Sequence, residues 1–236
     1  MQRIIFVVAR MFGWCVYYFF SFKYLANPKH RDYKRMAKLL HEASGHVNKA
    51  GRIIPTFKGV ENLPKEDGFV VYPNHQGLFD VILMYSSCDR EMAFVVKKEA
   101  SNIFMFKDLI KAIGSLVMDR SDIRQSIKVI LEVAEQVKQG RNFVIFAEGT
   151  RSKQGNKPGS FKGGSFKAAT SAKCPIVPCA LLNCYKVFDE KGVKPVEVTV
   201  KYLEPIMYDE YKNMKSQEIA DMVKARIEAA IKEEME

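Results

Sequence analysis

Six short apolar, β-branched runs lie at 69–72, 92–96, 116–118, 143–146, 176–182 and 196–203, with helical apolar spacing between several of them. No other feature limits the fold as strongly, because period-2 and period-3.6 burial alternate along one chain. The clearest helical stretch is 121–139, with Ile123, Ile127, Ile130, Leu131, Ala134 and Val137 on one face. Ser121 is its expected N-cap, and Gly140 stands where a glycine ends a helix. A last helix is expected from near Ser216, with Ile219, Val223, Ile227, Ala230 and Ile231 as its stripe. Strands alternating with helices predict an α/β domain over 52–236: a mixed central sheet flanked by helices, with some antiparallel pairing. At 236 residues and 47% apolar, the chain has enough core for that domain and a small appendage. A disordered or fibrous chain is excluded.

The appendage is 1–51. From 4 to 22 runs a 19-residue apolar stretch interrupted by one charge, Arg10, and carrying Trp14, Tyr17 and Tyr18. As one helix it is about 28 Å long, close to the hydrocarbon thickness. A spanning helix would bury Arg10 at a cost of at least about 2.5 kcal/mol, whereas the aromatic cluster favours the headgroup boundary. A helix lying in the interface is therefore favoured, with a spanning helix as the alternative. A buried amphipathic helix fits the same residues, and a cleaved signal peptide is not expected, since no small-x-small site follows. Residues 23–65 then hold ten Lys or Arg (Lys23, Lys29, Arg31, Lys34, Arg35, Lys38, Lys49, Arg52, Lys58 and Lys65) against Asp32, Glu42 and Glu61. An anionic leaflet attracts such a cluster by about 1 kcal/mol per cation. A solvated helix face fits them too, because Tyr33, Met36, Leu40 and Val47 form a helical stripe. Together the two segments predict an N-terminal membrane-associated helical hairpin, hinged at Asn27-Pro28, on the cytoplasmic face of a phospholipid bilayer.

The whole chain carries 37 Lys and Arg against 27 Asp and Glu, a net +10 that calls for an anionic partner. Nucleic acid is not expected: there is no zinc motif, no RNP-like aromatic pattern and no single basic recognition helix. The five cysteines, at 15, 88, 174, 179 and 184, form no CxxC pair and no disulfide framework. The late three are five apart on extended chain and alternate faces, so they are read as core thiols in a reducing compartment, not as metal ligands.

In α/β sheets, chemistry gathers just past the carboxyl ends of strands. After 69–72 comes Pro73-Asn74-His75-Gln76-Gly77-Leu78-Phe79-Asp80, then Val81-Ile82-Leu83-Met84 as the start of a helix. This spacing lets the Asp80 carboxylate meet the His75 imidazole, hold its tautomer and support the imidazolium of a general base. A loop histidine beside a carboxylate that serves the helix N-terminus fits as well. After 143–146 comes Glu148-Gly149-Thr150-Arg151, where Gly149 permits close backbone approach and Arg151 offers a bidentate fork for phosphate. Six cations fall in 147–173 against Glu148 alone, an anion-binding pattern that a basic surface loop also satisfies. There is no P-loop. Lys97 and Arg120 each close a strand and are expected to face the crevice of Arg151.

In this order the blocks resemble the glycerolipid acyltransferase family. Asn74-His75 to Asp80 is similar to its NHxxxxD signature and Glu148-Gly149-Thr150-Arg151 to its EGTR. Gly114 to Arg120 resembles GxxFIDR with Val117 and Met118 in place of Phe and Ile, and 161–169 and 176–181 resemble its Phe-Lys-rich segment and its late proline-containing strand. The resemblance runs from about 59 to 182; Ala147 stands where proline commonly precedes Glu148, and Ala100 where Leu commonly ends the Lys-Glu segment. It implies transfer of a fatty acyl group from acyl-CoA or acyl carrier protein, as donor substrate and without a cofactor or metal. The implied acceptor is the sn-2 hydroxyl of lysophosphatidate, and the product phosphatidate. His75 and Asp80 would be catalytic, and Arg151, Lys97 and Arg120 would hold the acceptor phosphate. Asn74, Glu148, Gly149 and Thr150 would support the motifs, with Glu148 orienting Arg151 or its loop. No acyl-enzyme is expected, because neither GxSxG nor a nucleophile partnered to His75 is present. The same chemistry on glycerol 3-phosphate or another lysophospholipid, and a non-catalytic lipid-binding relative, are the alternatives.

Overall fold

The structure is a computed structural model and describes residues 2–236, Phe104 and Met105 by their backbone alone. Three helices come first: α1 (Gln2–Arg10), α2 (Phe12–Ala26) and α3 (Tyr33–Gly51). There follow β1 (Ile53–Lys58), β2 (Val70–Pro73), α4 (Phe79–Ser87), β3 (Ala93–Lys97), α5 (Phe104–Ile113), β4 (Leu116–Met118) and α6 (Ile123–Lys138). The chain closes with β5 (Phe143–Val144), α7 (Gly163–Ala172), β6 (Ile176–Leu182), α8 (Cys184–Phe188), β7 (Val196–Tyr202), α9 (Tyr208–Tyr211) and α10 (Ser216–Met235).

The seven strands form one sheet in the order β1-β7-β6-β2-β5-β3-β4. Every neighbouring pair is parallel except β6 and β7. This is the mixed sheet flanked by helices that the apolar runs predict. Helices α6, α7 and α10 pack together on one face, where the Tyr72 hydroxyl of β2 donates to Ser165 O of α7. On the other, the Tyr202 hydroxyl of β7 shares a 2.7 Å hydrogen bond with Ser87 of α4, which packs against α3. Because β6 lies in the middle and is covered on both faces, all seven of its residues are buried. Each such Ile, Val or Leu contributes about 1.5–3 kcal/mol of transfer free energy. The alternation of β7 reflects its place nearer the edge: Val198, Val200 and Tyr202 are buried and Glu197 is exposed.

Three departures from expectation have local causes. Strand β1 was not anticipated: it contains Pro55, Thr56 and Lys58 and buries only Ile53, a composition that an edge strand pairing with β7 alone tolerates. Asp122, not Ser121, caps α6 by accepting the Gln125 N–H at 3.0 Å. Asp119 draws away the Ser121 hydroxyl at 2.6 Å, which moves the cap one residue on. The apolar stretch 4–22 is not one helix, for the chain breaks at Met11 and α1 meets α2 at 86°. Arg3 anchors the start of α1. It is buried, and its guanidinium donates to Val187 O, Gly51 O and Lys194 O at 2.9, 2.7 and 2.9 Å, while Val7 and Met11 bury with Tyr18 and Ala50.

Among the described residues no single helix is long and apolar enough to cross a membrane, though the bent pair α1 and α2 has the length and composition to do so. After α2, the chain turns at Asn27-Pro28, and Asp32 caps α3 through the Arg35 N–H. Phe12, Trp14, Tyr17, Phe20 and Tyr24 of α2 point outward, between 47% and 72% exposed.

Candidate active site

Strands β2, β5, β3 and β4 are mutually parallel neighbours, so their carboxyl ends share one edge of the sheet. His75 follows β2, Glu148 and Arg151 follow β5, Lys97 ends β3 and Arg120 follows β4. Sheet topology alone therefore gathers onto one edge every polar cluster that the sequence singles out.

The loop after β2 is built from within. Asp80 lies in the first turn of α4, is fully buried, and turns its carboxylate back into the loop. Its Oδ2 accepts from His75 Nδ1 at 2.7 Å, from Gln76 N at 2.7 Å and from Gly77 N at 3.0 Å. The spacing of five thus does two jobs: the backbone donors lock the carboxylate, and the locked carboxylate orients the imidazole. With Nδ1–H donated to Asp80, Nε2 is the basic nitrogen left for a substrate proton. One face of the imidazole stacks on Phe146 at 4.2 Å, and the side chain is one-fifth exposed, enough for a solvent-side reactant to reach it.

Glu148 sits under this loop rather than beside Arg151. Its Oε1 accepts the His75 N–H at 2.7 Å and its Oε2 the Gly159 N–H at 2.9 Å, so one carboxylate joins the β2 loop to the loop that precedes α7. Burial pushes the Glu148 carboxyl above its ordinary value, against the two N–H bonds, which favour the charged form. Both carboxylate oxygens of Glu148 are thus engaged with loop backbone. Gly149 adopts φ +71°, where a side chain would be strained, and its carbonyl accepts from the Arg120 guanidinium. Ser152 then donates its N–H to His75 O at 3.0 Å, closing the β5 loop over the β2 loop.

The three cations expected at an acceptor phosphate have different surroundings. Arg120 braces Gly149, while Arg151 is 40% exposed and reaches Asp189 only at 3.8 Å. Lys97 is exposed and pairs with Glu99 at 2.8 Å. Its neighbour Lys98 pairs with Asp119 at 2.9 Å, which together with bonds from Ser121 holds the Asp119 carboxyl well below the usual range.

Sequence reasoning passed over Gln76, although it adjoins His75. It is buried, its Oε1 accepts Cys184 N at 2.8 Å, and its Nε2 donates to Gly155 O and Asn156 Oδ1. Asn156 in turn accepts from Asn183 N at 2.8 Å, so one amide network ties the loops after β2, β5 and β6. Phe146 was also passed over, as merely the last apolar residue of a strand. Cys174, Cys179 and Cys184 are all buried, and burial raises each thiol above its ordinary value, which suits packing rather than nucleophilic attack.

A family model described as Acyltransferase matches residues 54–182, which include every strand-end cluster described above. The 1-acyl-sn-glycerol-3-phosphate acyltransferase of Helicobacter pylori is 30% identical over 138 residues, covering 58% of this chain. The chain spans 57% of that protein, little more than half its length. The enzyme of the same description from Salmonella typhimurium is 30% identical over 197 residues, 80% of this chain and 79% of that protein. The fold is similar to the crystal structure of the 1-acyl-sn-glycerophosphate acyltransferase PlsC from Thermotoga maritima, with TM-score 0.80 and 22% identity over 98% of this chain and 95% of that one. With the matched segment carrying the sheet edge and its His-Asp loop, this chain belongs to the acyltransferase family.

Proposed function

We propose that this protein transfers a fatty acyl group from an acyl thioester, acyl-CoA or acyl carrier protein, to the sn-2 hydroxyl of 1-acylglycerol 3-phosphate. The observation that carries the mechanism is the 2.7 Å contact between His75 Nδ1 and a fully buried Asp80 carboxylate. His75 Nε2 takes the hydroxyl proton as the oxygen attacks the thioester carbonyl. The tetrahedral intermediate collapses, the C–S bond breaks, and the imidazolium returns its proton to the departing thiolate. Asp80, held by two backbone N–H groups, supports the imidazolium. No acyl-enzyme forms, because Cys184, which borders this loop, is buried, and burial makes its thiol resist ionisation. Arg151, with its fork loosely held, takes the acceptor phosphate, and Arg120 and Lys97 add positive potential along the same edge.

The acceptor and product both reside in a bilayer, and the outward rings of α2 beside the cations of 23–65 match the headgroup boundary of an anionic cytoplasmic leaflet. Residues 1–51 therefore hold the enzyme at the membrane surface, with α2 lying in the interface. The purified chain, assayed with labelled acyl thioesters against lysophosphatidate, glycerol 3-phosphate and neutral lysolipids, should acylate lysophosphatidate at least tenfold faster than the others. Equal rates on neutral lysolipids would remove the phosphate from the reading, and no transfer to any acceptor would leave a lipid-binding relative.

A further inference from the structure

Among the described residues, a cavity of about 830 Å³ opens between α2 and α3. Lys23, His30 and Arg35 contribute its basic walls and Phe20, Tyr24 and Leu39 its apolar ones; no carboxylate lines it. The Tyr24 ring organises the basic side. His30 stacks on it at 4.2 Å with 9° between the planes, and the Arg35 guanidinium lies 6.0 Å from its centroid. Phe20 and Tyr24 are also among the outward rings of α2, so the cavity opens beside the face that meets a headgroup layer.

This place is not the catalytic crevice. The first residue of α3, Tyr33, carries the Arg141 guanidinium over its ring at 4.0 Å, and Arg141 lies just before β5. Strand β5 runs parallel to β2, so the start of α3 stands at the amino edge of the sheet, whereas His75 lies past the carboxyl edge. The cavity therefore lies apart from His75, at the opposite edge of the sheet.

We propose that this cavity is a second, non-catalytic lipid site that takes the phosphate of an anionic phospholipid. Lys23 and Arg35 meet the phosphate, and Phe20 and Leu39 face the first methylenes of a chain. A volume near 830 Å³ lies within the range of about 300–1,000 Å³ typical of small-molecule sites and suits a headgroup with part of its chain. With no carboxylate among the lining residues, Lys23 and Arg35 repel one another across the cavity, and a bound phosphate relieves that repulsion. Aromatic rings place the site at headgroup depth. The inference rests on attachment of α2 to a membrane surface and adds a preference for anionic lipid at a defined position.

The test uses the full chain and vesicles of phosphatidylcholine alone or mixed with phosphatidylglycerol, with sedimentation as readout. Lys23→Gln/Arg35→Gln should lower affinity for the anionic vesicles about 30-fold, the worth of two cations near an anionic surface. Binding to neutral vesicles should stay within about twofold, since the α2 rings remain. Lys38→Gln/Lys49→Gln removes the same charge from exposed positions of α3 outside the cavity and should cost less than about fivefold. Equal losses in the two pairs would overturn the site in favour of diffuse charge. Should the first pair misfold, Lys23→Gln alone, at an exposed position of α2, should still lose about fivefold. A wild type that binds both vesicles equally defeats the anionic site and leaves attachment standing, whereas one that binds neither defeats attachment itself. Inorganic phosphate at matched ionic strength should compete weakly, and a short-chain phosphatidylglycerol strongly. If phosphate competes as well, the ligand is free phosphate and the lipid assignment falls.

Discussion

Asn74 clasps the backbone of Leu181 on the neighbouring strand: its Oδ1 accepts the Leu181 N–H at 2.7 Å and its Nδ2 donates to the Leu181 carbonyl at 3.0 Å. The side chain continues the β2–β6 ladder one step beyond Pro73 and frees the main chain to turn at His75. Asn74→Ala leaves a buried N–H and C=O without partners, a loss of about 1–3 kcal/mol each. The melting temperature should fall by roughly 5–15 °C. Asn74→Asp should melt low too, because it cannot donate to the Leu181 carbonyl. A wild-type melting curve for Asn74→Ala would show that the clasp contributes nothing.

His75→Ala should reduce kcat by about 10²–10⁴-fold while the melting curve stays near wild type, as the side chain is partly exposed and the loop is held through backbone atoms. Asp80→Asn should lose activity as well. Its amide can offer Nδ2 to His75 Nδ1, which favours the tautomer whose Nε2 carries a proton and cannot act as base. Thermal melts and initial rates on the same preparations check both variants, and full turnover from folded His75→Ala sinks the mechanism.

Glu148 carries a pH signature. Its carboxyl is raised above the ordinary 4.5 by burial, so the native state holds that proton more tightly than the unfolded chain does. Its titration therefore contributes stability that is fully present below about pH 4.5 and is lost as pH rises through the native value. Glu148→Gln has no such titration and keeps only one of the two oxygen acceptors. Urea unfolding of both proteins should show a larger stability difference near pH 4.5 than at neutral pH. A difference that grows with pH would mean that the two N–H bonds outweigh burial.

Arg151→Lys replaces a planar fork by a point charge at the residue proposed to hold the acceptor phosphate. KM for lysophosphatidate should rise about tenfold, with KM for the thioester within about twofold. Arg151 and Asp189 are both well exposed, so stability should change little. Steady-state kinetics with each substrate varied in turn decide it, and parallel shifts would make Arg151 structural.

Arg3→Ala should destabilise the protein by about 2–5 kcal/mol, since three backbone carbonyls lose a buried charged donor at once. One of them belongs to Val187 in α8, whose first residue, Cys184, is held by Gln76 beside His75. Amide exchange at Cys184 should therefore quicken in the variant. Arg3→Lys should rescue little, because one ammonium cannot span three separate carbonyls.

The sequence by itself determined six of the seven strands, the burial face of α10, the extent of the helix over 123–138 to within a residue or two, though Ile123, Ile127 and Leu131 of its expected stripe are exposed, and the meeting of His75 with Asp80. Each of these depends on residues near one another in the chain, where periodicity and a spacing of five already specify which side chains share a face or a loop. Tertiary structure alone decided the strand order, β1 at the edge, the 86° break at Met11, the grip of Asn74 on Leu181 across 107 positions, and that of Gln76 on Cys184 across 108. Those contacts join segments whose separation along the chain carries no record of their distance in space. Pro55 reads as a strand breaker until the sheet places it at an edge, and Arg3 reads as a charge at the start of an apolar helix until three carbonyls from distant segments surround it. A buried polar group is stable only where packing supplies its partners, and packing is a property of the whole fold.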